Sequence, residues 1–241
     1  MVIKYFLAAS ILLNFYTIFS FLSIPLSPPS SNFSSVPSSS DYLFERSIGY
    51  AGSGNRIREK LTKASNGENI KIGVLGGSIS TGHALGDKDN ESYHSIIFNW
   101  FTKKFPNGRH ELINGAAPAT GSSYFTYCHN KHIPNDLDII FIEFSINDGS
   151  IYPTERGDGD PSITKNMELL VRNLLQMPTK PAIIFLSFFS FKVDYYFNGQ
   201  EAHIAIANYY DIPYISFKNA YFDHHNRFPD AWSAHLSNKG A

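Results

Sequence analysis

The sequence predicts an α/β fold, a parallel sheet with helices on both faces, and three observations point to it. Beyond residue 70, strand-like apolar runs alternate with segments of helical periodicity. Two of these runs, 138–144 (DIIFIEF) and 182–189 (AIIFLSFF), are apolar over most of their length, the pattern of strands covered on both faces. The run 70–76 (IKIGVLG) breaks into Gly76-Gly77 and then Ser78, a tight turn at the carboxyl end of a strand.

Taken in order, residues 5–26 form an almost unbroken apolar run behind Lys4, long enough to cross a bilayer as a helix of roughly 20 residues. Residues 1–26 read as a signal anchor or a cleaved signal peptide, either of which sends the rest of the chain into the secretory pathway. Residues 27–40 (SPPSSNFSSVPSSS) are too polar to bury a core and read as a linker. The folded domain is expected over 41–241. Its entry segment, 41–66, carries a helix near 56–64 and leads to the strand at 70–76. A helix follows, with Tyr93, Ile96, Ile97, Trp100 and Phe101 on its apolar face, and Pro106-Asn107-Gly108 ends it. A short strand at 111–113 runs into the small-residue loop 114–123 (NGAAPATGSS). The strand at 138–144 ends at Ser145-Ile146-Asn147-Asp148-Gly149. A helix over 162–176 is stopped by Pro178, and the strand at 182–189, a helix over 200–210 and a short strand at 214–216 complete about five strands.

Composition narrows the function. A formal net charge of −1 and the lack of any Lys/Arg-rich run argue against a nucleic-acid groove. Cys128 is the only cysteine, so an intrachain disulfide is impossible, and it reads as a small buried hydrophobe. Asn32-Phe33-Ser34 and Asn90-Glu91-Ser92 fit the N-glycosylation acceptor pattern. The glycines at 73, 76, 77 and 82 do not space as a dinucleotide fingerprint, and no Gly-Lys-Ser/Thr sequence follows them, so phosphate cradling is disfavoured. Nor is this the G-x-S-x-G elbow, since residue 80 is serine.

In open α/β sheets ligands sit beyond the carboxyl ends of the strands, and there the predicted strands deposit Ser78, the 119–121 loop and Asn147. A late histidine, His235, can reach the same edge. Acyl transfer needs a nucleophile, a base and donors aimed at the oxyanion, and each has a candidate. His203 reads as a packed or capping residue on its helix, and His224 and His225 as surface loop histidines. The chemistry requires no metal or cofactor.

Gly76-Gly77-Ser78-Ile79-Ser80, Ser145-Ile146-Asn147-Asp148 and His235-Leu236-Ser237-Asn238-Lys239-Gly240 together resemble the first, third and closing blocks of the SGNH, or GDSL, serine esterases. Gly77 stands where the first block often has aspartate, Ser145 where the third has glycine, and Leu236 where the last has proline. The resemblance implies a flavodoxin-like three-layer α/β/α sandwich that cleaves carboxylic esters of small acyl groups, such as acetyl groups on glycans, through an acyl-enzyme. It implies Ser78 as nucleophile, His235 as base, and an oxyanion hole of the Ser78 N–H, a second-block N–H and the Asn147 amide. The second-block donor is Gly121, with Ala119 as its rival. The family acid usually stands three residues before the histidine, where this chain has Trp232. Asp230 is the candidate acid, and a main-chain carbonyl at Trp232 is the alternative support for the imidazole. The family also leads one to expect a final helix after the closing block, where this chain stops at Ala241. The competing reading is a non-catalytic module on the same fold.

Overall fold

The computed structural model describes residues 39–83, 85–149, 160–190 and 198–227. The apolar run at 5–26, Asp230, Trp232 and His235 lie outside these residues, as does the linker apart from its last two serines. No helix among the described residues is long and apolar enough to cross a membrane.

Among the described residues six strands form one sheet: β1 (Ile48–Tyr50), β2 (Lys71–Gly76), β3 (Glu111–Asn114), β4 (Ile139–Glu143), β5 (Ala182–Ser187) and β6 (Tyr214–Ser216), in the order β1-β6-β5-β4-β2-β3. The strands β2 to β6 are mutually parallel, as expected. The expected sheet of about five strands gains an antiparallel edge, because β1 pairs with β6. That strand has no signature of its own: three residues around Gly49 become a strand only because Tyr214 offers an edge. A Cβ on Gly49 would sit 2.3 Å from Tyr214 Cδ1, so the strand lies directly on the ring.

The helices are α1 (Ser39–Ser47), α2 (Asn55–Ser65), α3 (Lys88–Glu91), α4 (Tyr93–Lys104), α5 (Ser122–Cys128), α6 (Ser162–Leu175), α7 (Gln200–Tyr210) and α8 (Phe217–Arg227). The helix α1 begins inside the tract read as linker, and it packs on α8. His224 and His225, expected in a loop, fall in α8. The start of α4 is set by Ser92, whose side chain accepts from Ser95 N, and Cys128 is half-buried at the end of α5.

Strand alternation sorts the core onto two faces. Ile139 and Phe141 of β4 point into one cluster with Ile57 and Leu61 of α2, Ile97 and Phe101 of α4, and Phe217 of α8. Ile140 and Ile142 point the other way, to Phe125 of α5, Leu170 and Leu174 of α6, and Ile206 of α7. Helices therefore cover both faces. The chain goes from β2 outward to β3, then crosses back to β4 on the other side of β2. The carboxyl ends of β2 and β4 mark this reversal, the place where doubly wound sheets open a crevice.

Gly49→Val should lower stability by about 1–3 kcal/mol, because the added atoms must displace the buried Tyr214 ring. Urea unfolding read by fluorescence measures it, and an unchanged midpoint would show that β1 leaves the sheet at little cost.

Candidate active site

The strands β2 and β4 run in register to their ends, with Gly76 opposite Glu143. Gly77 N donates to Glu143 O at 3.3 Å, and the chain then turns through Ser78, whose carbonyl accepts from Thr81 Oγ1 at 2.8 Å and from His83 N at 3.0 Å. Ser78 is half-buried. A Cβ on Gly77 would lie 2.2 Å from Asn147 Oδ1, so glycine is what allows the Asn147 side chain against the turn.

The loop after β3 is drawn in along β2. Gly115 N donates to Val74 O at 2.9 Å and Ala117 N to Gly76 O at 3.0 Å. Ala119 takes a left-handed φ of 56° and is exposed. Gly121 lies against the third loop, since a Cβ there would meet Asp148 Oδ1 at 2.3 Å. The structure thus brings together the Ser78 turn, Asn147 and the Gly121 end of the second loop, with Ala119 turned to the surface. Asp230 and His235 fall outside the described residues.

Ser145 is fully buried and joins two strand ends. Its Oγ donates to Phe188 O at 2.8 Å and accepts from Phe188 N at 2.9 Å. A hydroxyl satisfied twice over can be buried without cost from an unpaired group.

Sequence reasoning missed the polar groups beneath the turn. Ser80, with no exposure, is held from three sides. Its Oγ donates to Glu143 Oε2 at 2.9 Å and lies 2.8 Å from Tyr93 Oη on α4. Its carbonyl accepts from His94 Nε2 and from Asn114 Nδ2, each at 2.9 Å. Burial lowers the His94 pKa and so favours the neutral ring, with Nε2 as donor to that carbonyl. Burial also raises Tyr93 above the usual phenol range, keeping its O–H intact. A polar residue interrupting an apolar run, Glu143 in DIIFIEF, was the available signal.

Burial pushes the Glu143 carboxyl up to about 8, and the Asp148 charge adds to the rise, while the Ser80 hydroxyl opposes it. Glu143 Oε1 has no hydrogen-bond partner among the described residues. A neutral acid there avoids placing an unpaired anion beneath the turn. Among the described residues, no group of three or more His, Cys, Asp or Glu side chains is placed to hold a metal ion.

No family model and no curated protein matches the chain. Among solved structures the chain is similar to a two-domain esterase active on acetylated mannans. With mannopentaose in the crystal, that structure aligns at 28% identity and a TM-score of 0.65, covering 74% of this chain and 46% of that one. Without mannopentaose the values are 27%, 0.65, 75% and 46%. The chain therefore spans about half the length of the esterase it matches. The likeness to esterases read from short motifs extends to the folded structure.

Glu143 keeps its proton in the folded chain to about pH 8, whereas the unfolded chain loses it near 4.5. Between these values the folded state binds more protons, so stability falls as pH rises, by at most about 1.4 kcal/mol per pH unit from this group. Glu143→Gln should remove that part of the slope, and urea unfolding at pH 5, 6.5 and 8 measures it. Parallel slopes in the two proteins would show that Glu143 does not titrate in this window.

Proposed function

We propose that the chain is a serine hydrolase that cleaves small acyl esters, acetyl groups on a glycan in particular, through an acyl-enzyme. The observation that carries this reading is the convergence of three loops at the reversal of strand order, where Ser78 leaves β2 beside Asn147 and the second loop brings Gly121 against Asp148. The similarity to an esterase active on acetylated mannans supports the acyl and glycan parts. The sheet order supports the flavodoxin-like form that the sequence motifs imply.

In this reading Ser78 Oγ attacks the acyl carbon and its proton passes to His235. The carbonyl electrons move to oxygen, and the oxyanion is met by the Ser78 N–H, a second-loop N–H and the Asn147 side-chain amide. When the carbonyl re-forms, the alcohol leaves with the proton from His235, and water repeats the sequence on the acyl-enzyme to release the acid. Asp230 orients the imidazole, with the carbonyl of Trp232 as the alternative acceptor. Gly121 is the second donor on the ground that its backbone, unlike that of the exposed Ala119, lies against the third loop. The apolar run at 5–26 and the two Asn-x-Ser sites support an address in the secretory pathway, membrane-anchored or secreted.

The test is hydrolysis of p-nitrophenyl acetate and of an acetylated oligosaccharide by the full chain. Ser78→Ala should abolish turnover, and Asn147→Ala should lower kcat by about 10²–10³. Turnover that survives Ser78→Ala would exclude this mechanism. A folded wild-type chain without activity would favour the non-catalytic module.

A further inference from the structure

Between the second and third loops lies a carboxylate that the mechanism above does not use. Asp148 follows the candidate oxyanion donor Asn147, and its side chain is only 3% exposed. One oxygen, Oδ1, accepts from Ser122 N at 2.7 Å, the residue after Gly121 and the first of α5. The other, Oδ2, accepts from His203 Nε2 at 2.7 Å, and the His203 side chain is also 3% exposed. The carboxylate therefore joins two loops and fastens both to α7.

The surroundings are built for this contact. A Cβ on Gly121 would collide with Asp148 Oδ1, and a Cβ on Gly199, which caps α7, would lie 2.9 Å from Asp148 Cβ and 3.1 Å from Ser145 O. Two glycines thus clear the space that the side chain occupies. Gly199 N donates to Ser145 O at 3.0 Å, and His203 N donates to Gly199 O at 3.1 Å, so the histidine rides on a helix already hydrogen-bonded to the third loop. Its ring and that of Phe185 in β5 meet in a T-shaped contact, 6.0 Å between centroids. A buried carboxylate with a single backbone donor is poorly compensated, and the imidazole supplies the second donor.

We propose that Asp148 and His203 are paired positioning residues: the pair sets the separation between the Gly121 and Asn147 loops, and so the fit of the site to the oxyanion. This rests on the esterase reading. The pair touches no reacting atom in that mechanism, and its effect falls on interactions made in the transition state. Loosening it should lower kcat while leaving KM in place.

The experiment compares full-length wild type, His203→Leu, His203→Gln and Asp148→Asn on p-nitrophenyl acetate, with hydrogen exchange of the 117–123 segment followed by mass spectrometry. His203→Leu fills a similar volume without a donor, and His203→Gln keeps one. The expected result is about a 10²-fold fall in kcat for His203→Leu at a KM within twofold of wild type, with faster exchange in 117–123. His203→Gln should recover at least tenfold of that loss, and Asp148→Asn should resemble His203→Leu. Unchanged kcat and exchange in His203→Leu, a change in KM alone, or equal losses in the leucine and glutamine variants would each overturn the proposal. Should His203→Leu fail to fold, His203→Gln faster than Asp148→Asn supports the pair, and equal rates overturn it. A folded wild type with no hydrolysis would remove the esterase reading instead, and exchange in 117–123 would then decide alone whether the pair holds the loop.

Discussion

Where β2 and β4 end side by side, the two chains leave the sheet closer together than side chains on both would allow. Gly76 faces Glu143 across the ladder, and a Cβ on Gly76 would lie 2.1 Å from Ser80 Oγ. One residue on, Gly77 admits the Asn147 side chain against its own backbone. The proposed chemistry depends on this approach, because a nucleophile and an oxyanion donor must meet the same small group. The two glycines forgo side chains where the sheet is most crowded, and the space they release is filled by polar atoms.

Those polar atoms form a second core beside the apolar ones. Ser80, Glu143, Tyr93, His94 and Asn114 come from two strands, a helix and the turn itself, and all but Asn114 are buried. Buried polar groups cost free energy unless partnered, and when partnered they fix a geometry more narrowly than apolar packing does. Apolar contacts on each face hold the sheet, while hydrogen bonds at its carboxyl edge hold the Ser78 turn. The neutral Glu143 and Tyr93 allow this without a concentration of unpaired charge.

Much of the fold is legible in the sequence because parallel strands buried on both faces are mostly apolar. The runs of β2, β4 and β5 are unmistakable for that reason, and α6 and α7 follow from period and from stops such as Pro178. By contrast β1 exists only as a partner for β6. The helix α8 did leave a signal, Phe217, Ala220 and Tyr221 at helical spacing, but it starts directly from a strand with no turn to announce it. At the candidate site, Ser78, Gly121 and Asn147 stand out because small residues and amides after strands are conspicuous. Asp148 reads as one more turn residue. Its pairing with His203, 55 positions away, depends on how α7 docks and leaves no local trace.

The brevity of both edge strands has a consequence for the molecule's behaviour in a crowded solution. A parallel sheet of this order would end in two open edges, each a row of unpaired amides and carbonyls to which a second chain could add. With β1 covering β6, that side ends in a three-residue strand too short to template a ribbon. The opposite edge, β3, is only four residues long, with Glu111 and Asn114 exposed at its two ends. A charge at one end of β3 and brevity at both edges leave little to which a second chain could add.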